Sequence, residues 1–151
     1  MTYPITATIS ESSNTMLQGI HPLLIGTLLE RLDSMGHSDS IAVVDAHFPA
    51  SRLSTRVIDL PGTLAPDVIG AIRTVLPLDK PLSMDMMTPL EGPIREVQND
   101  IVAAALAGSS SVGFLERYAF YTAAANSIAI VRTGETRSYG NALLYKGLVT
   151  R

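Results

Sequence analysis

Met35-Gly36-His37-Ser38-Asp39-Ser40-Ile41-Ala42-Val43-Val44-Asp45-Ala46-His47-Phe48-Pro49 is the stretch on which the fold of this chain turns. Gly36 marks the end of a helix, because a residue without a Cβ enters the left-handed region freely. Ile41–Val44 is apolar at every position rather than at alternate ones. That pattern predicts a strand buried on both faces, as inside an α/β sheet. Asp45 closes the run and His37 precedes it. A histidine and an aspartate carried to one rim of a sheet would form a proton-transfer pair, so this reading brings His37 and Asp45 together.

Working outward, Leu23, Leu24, Leu28 and Leu32 recur at helical spacing behind Pro22, which predicts a helix over 22–34. Downstream, residues 55–60 read as a short strand, 65–72 as a helix start, 82–87 as a strand and 95–107 as a helix. A strand at 114–116, a helix at 119–125, a strand at 127–132 and a closing segment at 142–149 follow. Strands alternating with helices argue for a single layered α/β domain. Residues 1–15 are rich in Ser and Thr without amphipathic period and read as an N-terminal arm, leaving 16–151 as the domain.

Only 17% of the 151 residues are charged, against about 25% in ordinary domains, and 46% are hydrophobic. A surface so lean in charge points to homo-oligomer formation, with other copies of the chain covering part of it. The net charge of −3 and the absence of a Lys/Arg cluster argue against nucleic acid or an acidic membrane as partner. With no cysteine there is no thiolate nucleophile, disulfide or cysteine-based zinc site. Residues 1–10 show no secretory pattern, and no apolar run reaches the roughly 18 residues of a membrane span. The expectation is a soluble cytoplasmic protein.

His37 at a helix C-terminus, near Asp45, would be favoured as imidazolium, the alternative being a histidine that caps helix carbonyls. Asp45 ends a strand where α/β sheets commonly present ligand contacts, or it caps the turn toward Pro49. His47 makes a D-x-H pair with Asp45, but a metal needs further convergent ligands and His21 lies far off in sequence, so no metal is expected. Late in the chain, Arg117 and Tyr121 accompany Tyr139-Gly140-Asn141, where two polar side chains flank a glycine. Tyr, Asn, Arg and Asp with few Lys suit the hydroxyls of a sugar, although spacing alone favours an ordinary Asn/Gly turn. Phosphate-binding loops and the strained serine elbow of hydrolases are absent. Met84, Met86 and Met87 read as core filler.

Met16-Leu17-Gln18-Gly19-Ile20, Met35-Gly36-His37, Asp45-Ala46-His47-Phe48-Pro49, Glu91-Gly92 and Tyr139-Gly140-Asn141 together resemble the L-fucose mutarotase and D-ribose pyranase family over residues 16–151. Ala46-His47-Phe48-Pro49 is similar to the fucose branch, as is Arg117, where the pyranases carry His. The resemblance implies a three-layer α/β/α domain around a central mixed sheet, in ring-shaped homo-oligomers, often decamers, with sites between subunits. It implies a monosaccharide substrate, no cofactor, and catalysed interconversion of sugar anomers. Position by position it makes His37 the proton donor and Asp45, Arg117, Tyr139, Gly140 and Asn141 sugar-binding, with Tyr121 beside them. In that scheme Asp45 also tunes His37, and Tyr139 is a second proton relay. Ser38-Asp39-Ser40 replaces a more acidic family stretch, which bears on substrate preference. A pyranase that interconverts pyranose and furanose, or a sugar-binding module without turnover, are the rival readings.

Overall fold

Ile41–Val44 lies inside a mixed sheet in the computed structural model, which describes residues 17–151. The expected arm falls outside the described residues. Six strands, β1 (Ser40–Val44), β2 (Val57–Leu60), β3 (Met84–Met87), β4 (Val112–Leu115), β5 (Ile130–Thr133) and β6 (Ala142–Tyr145), stand in the order β2-β5-β1-β6-β3-β4. β6 runs antiparallel to both its neighbours, β1 and β3, and every other pairing is parallel. Five strands therefore point the same way, and their C-terminal ends share one edge with the start of β6.

The continuous apolar run of β1 has a simple cause, since its two faces belong to different core clusters. Ile41 and Val43 pack with Leu28, Leu32, Val68, Ile69 and Ile101, from helices α1 (Gly26–Ser34), α3 (Ala65–Arg73) and α4 (Glu96–Ala105). Ala42 and Val44 pack with Ala50, Phe120 and Ala124, from α2 (Ala50–Leu53) and α5 (Arg117–Ala125). These helices on both faces give the three-layer α/β/α architecture. Burying both faces of one strand is what makes an alternating pattern impossible there.

Element boundaries shift for local reasons. The first helix starts at Gly26 rather than residue 22, because His21 gathers the chain into a turn. Its Nδ1 accepts the Leu23 N–H and its carbonyl accepts that of Leu24. α5 begins two residues early, at Arg117, because the Glu116 carboxylate caps it through the Ala119 N–H. The strand expected at 127–132 is displaced to Ile130–Thr133, since the Ser127 hydroxyl contacts the Ala124 and Ala129 carbonyls and holds a turn. Of 142–149, Ala142–Tyr145 pairs as a strand. α2, four residues long, has too little sequence to show a period. Among the described residues no helix is long and apolar enough to cross a membrane.

Candidate active site

At the C-terminal edge of the parallel strands, β1 delivers Asp45, β3 delivers Met87, β4 leads into Arg117, and the approach to β6 delivers Tyr139-Gly140-Asn141. This is the edge at which open α/β sheets bind ligands. Asp45, Met87, Arg117, Tyr139 and Asn141 line a cavity of about 230 Å³, together with His47, Phe48, Pro49, Tyr121 and Ser138.

Asp45 is the best-held member. It is 3% exposed, and its two carboxylate oxygens accept the backbone N–H groups of His47 (3.0 Å) and Gly140 (3.3 Å). Its own N–H donates to Asn141 Oδ1 at 2.9 Å. β1 and the 139–141 turn are thereby stitched together across 96 positions of sequence. Burial raises the Asp45 carboxyl above the ordinary value of 3.8, although these N–H groups and the charge of His47 pull the other way. Gly140 fits closely, since a Cβ there would stand 3.0 Å from Glu135 Cγ and 3.3 Å from the Arg137 carbonyl oxygen, so a larger residue would have to push one of them aside. Tyr139 occupies the left-handed region at φ +67°, a conformation that a side chain adopts only when its surroundings hold it.

The aromatic wall is backed by an edge-to-face cluster. Phe48 meets Phe120 and Tyr121 edge-to-face, with centroids 5.8 and 5.3 Å apart, and Arg52 stands over the Tyr121 ring. Arg117 opens the first turn of α5 and is exposed, and none of its side-chain donors is engaged among the described residues. Its guanidinium is therefore available to oxygen atoms of a ligand. His47 Nε2 lies 3.1 Å from the Thr136 carbonyl, which fits a ring nitrogen that carries a proton.

The expected pairing of His37 with Asp45 at one rim does not form within the chain. They flank the five residues of β1, and a strand of that length separates its two ends by about 15 Å. His37 lies at the opposite edge, half exposed, with Nε2 3.1 Å from Asp79 Oδ1. The Ser38 hydroxyl donates to the other oxygen of Asp79 at 3.1 Å. The His37 contact, then the Lys80 N–H and the Ser38 hydroxyl, hold the Asp79 carboxyl below its ordinary value. Thus Asp45, Arg117, Tyr121, Tyr139, Gly140 and Asn141 converge, and His37 does not join them in its own chain. Asp79, His47, Phe48, Met87 and Ser138 were not among the residues expected at the site. Met84 and Met86 are core, as expected, whereas Met87 contributes to the cavity wall.

The family model described as the RbsD / FucU transport protein family matches residues 18–149. The chain belongs to that family. It is similar to the fucose mutarotase of Streptococcus pneumoniae, solved in complex with L-fucose, at 29% identity over 89% of this chain and 100% of that one, with a TM-score of 0.82. FucU from Bifidobacterium longum is 31% identical over 87% of this chain and 100% of that chain, with a TM-score of 0.80. Bacillus subtilis RbsD, solved with D-ribose, shares the fold at 21% identity and a TM-score of 0.72, over 86% of this chain and 98% of that one. The RbsD / FucU fold is therefore the α/β/α sheet described above. Family membership supports sugar interconversion as the general activity and a monosaccharide as the ligand.

Proposed function

We propose that this chain is a mutarotase that interconverts the α and β anomers of a pyranose, L-fucose or a related aldose, by general acid/base catalysis. The observation that carries the reading is the buried Asp45 carboxylate on a monosaccharide-sized cavity, held by Gly140 and joined by the unengaged Arg117. Burial of that carboxylate favours its protonated form relative to water, which suits a group that exchanges protons with hydroxyls.

Ring opening breaks the bond between the anomeric carbon and the ring oxygen. The anomeric hydroxyl gives up its proton as the ring oxygen gains one, and the carbon becomes a carbonyl. Rotation and reclosure on the other face give the other anomer, with no net change of oxidation state. One acid and one base that exchange roles suffice. Arg117, Tyr139 and Asn141 fix the hydroxyls, Asp45 receives or returns a proton, and Tyr139 is a second relay.

His37 is the proton donor of this scheme, oriented by Asp79. Since one chain carries His37 and Asp45 at opposite sheet edges, the complete site lies between copies of the chain, with His37 supplied by a neighbour. The homo-oligomer is a ring. The lean charge of the sequence and exposed apolar side chains such as Leu90 and Tyr118, 77% and 67% exposed, support such assembly.

The deciding experiment is NMR anomer exchange on L-fucose, with D-ribose alongside, for wild type and His37→Ala. Saturation transfer between the α and β signals of L-fucose is expected for wild type, falling about 10²- to 10⁴-fold in the variant. Exchange between ribose ring forms instead would assign the chain to pyranase chemistry. Sugar binding without exchange would make it a binding module.

A further inference from the structure

Tyr139 and Arg117 line two neighbouring cavities. One is the 230 Å³ cavity of Asp45, and the other, of about 390 Å³, runs between Pro89–Leu90 and Glu116–Tyr118. The segment 88–95 grips Tyr139 at two points. The tyrosine hydroxyl accepts the Leu90 N–H at 3.0 Å, and the Arg95 guanidinium stands over the ring, 5.3 Å from its centroid.

Arg95 also folds that segment onto itself. Its Nη2 donates to the Glu91 carbonyl at 3.0 Å and its Nη1 to the Pro93 carbonyl at 3.3 Å. At the base, the fully buried Gln98 amide ties both ends of the segment. Its Oε1 accepts the Arg95 N–H at 2.8 Å, and its Nε2 donates to the Met87 carbonyl at 2.8 Å. Tyr139 itself sits at positive φ, an uncommon backbone conformation, and the Leu90 N–H and Arg95 guanidinium are the contacts that hold its ring from this segment.

We infer that segment 88–95, latched by Arg95, fixes the Tyr139 ring as the partition between the two cavities, which makes Arg95 a positioning residue that sets the size of sugar the site admits. This rests on the reading of the Asp45 cavity as a sugar site. Arg95 itself is not among the residues lining that cavity, so it acts through Tyr139. Lysine replaces it only in part, because a point charge on a flexible stem does not span two carbonyls while also standing over a ring.

The test compares wild type, Arg95→Met and Arg95→Lys by NMR anomer exchange on L-fucose and on maltose, a reducing disaccharide. Fluorine NMR of fluorotyrosine-labelled protein accompanies it, with the Tyr139 and Tyr121 signals assigned through Tyr139→Phe and Tyr121→Phe. In Arg95→Met, kcat/KM for L-fucose is expected to fall about tenfold, with KM raised because Tyr139 holds the sugar and kcat lowered because it relays a proton. Maltose exchange gains relative to L-fucose, and the Tyr139 resonance shifts and broadens while that of Tyr121 holds. Arg95→Lys falls between, and it carries the comparison alone should Arg95→Met not fold. An unmoved Tyr139 resonance with unchanged KM in a folded variant overturns the inference. Wild type that exchanges neither sugar sinks the mutarotase reading alone, and the fluorine spectra then decide whether Arg95 holds Tyr139.

Discussion

Asp45 faces two opposed demands, and its pH behaviour separates them. Burial raises its carboxyl above 3.8, so the folded chain holds that proton more tightly than the unfolded chain does. The associated stability is fully present below 3.8 and is lost as pH rises through the raised folded value. Asp45→Asn removes this dependence, while its amide nitrogen confronts one of the N–H groups of His47 and Gly140. The midpoint of the variant minus that of wild type should therefore climb as pH rises through this window, whatever the constant offset from the lost hydrogen bond. Denaturant melts at stepped pH measure it, and a flat difference refutes the assignment. Under the proposed mechanism, kcat/KM is expected to show an acid limb displaced above 3.8, which exchange rates measured against pH would read.

Between elements, Glu135 does for the architecture what Asp45 does for the site, with the opposite sign. It is 1% exposed, accepts the Ala65 N–H at the start of α3, and is gripped by Arg137, which also reaches Asp100 on α4. Burial alone would raise its carboxyl, but the Arg137 hydrogen bonds and charge and the Ala65 N–H outweigh it and leave it below 4.5. Its stability is present above 4.5 and is lost as pH falls through the depressed value. Glu135→Gln should cost about 1–3 kcal/mol near neutrality, a deficit that shrinks as the medium is acidified. Chemical denaturation at neutral and acid pH reads both. The loop pinned by Glu135 carries Tyr139 and Asn141, which is how strand chemistry becomes site geometry.

What was legible followed the same division between local and distant contacts. The run Ile41–Val44 announced a strand buried on both faces, and Asp45 at its end announced the C-terminal edge where the cavity opens, because both signals are local. The partnership of His37 with Asp79 spans 42 positions and leaves no periodic trace. The hold of Leu90 on Tyr139 spans 49, and nothing in Glu91-Gly92-Pro93 foretells it. His37 was drawn to the wrong rim because two residues flanking a short apolar run look adjacent in sequence, whereas an extended backbone sends them to opposite edges.

At the scale of the whole molecule, that separation becomes a prediction about assembly. A chain whose proposed acid and sugar-binding carboxylate lie on opposite edges of one sheet can unite them only through a second copy. In an oligomer of His37→Ala chains, every site lacks the histidine. In one of Asp45→Asn chains, every site lacks the carboxylate. Both should be inactive alone. Mixed by co-expression, or by unfolding and refolding together, the two variants generate sites that combine the intact Asp45 of one chain with the intact His37 of another. With random mixing, about a quarter of the sites are complete, so activity should return to roughly that fraction of wild type. Saturation transfer on L-fucose across a titration of the two variants measures it, with size-exclusion chromatography confirming that the mixed species assemble. Recovery that peaks at equal proportions supports a site shared between chains. No recovery in a properly assembled mixture of two inactive variants would refute a site shared between chains. Full activity of His37→Ala on its own would instead confine the chemistry to one chain, with Asp45 and Tyr139 as its proton carriers and His37 outside the mechanism.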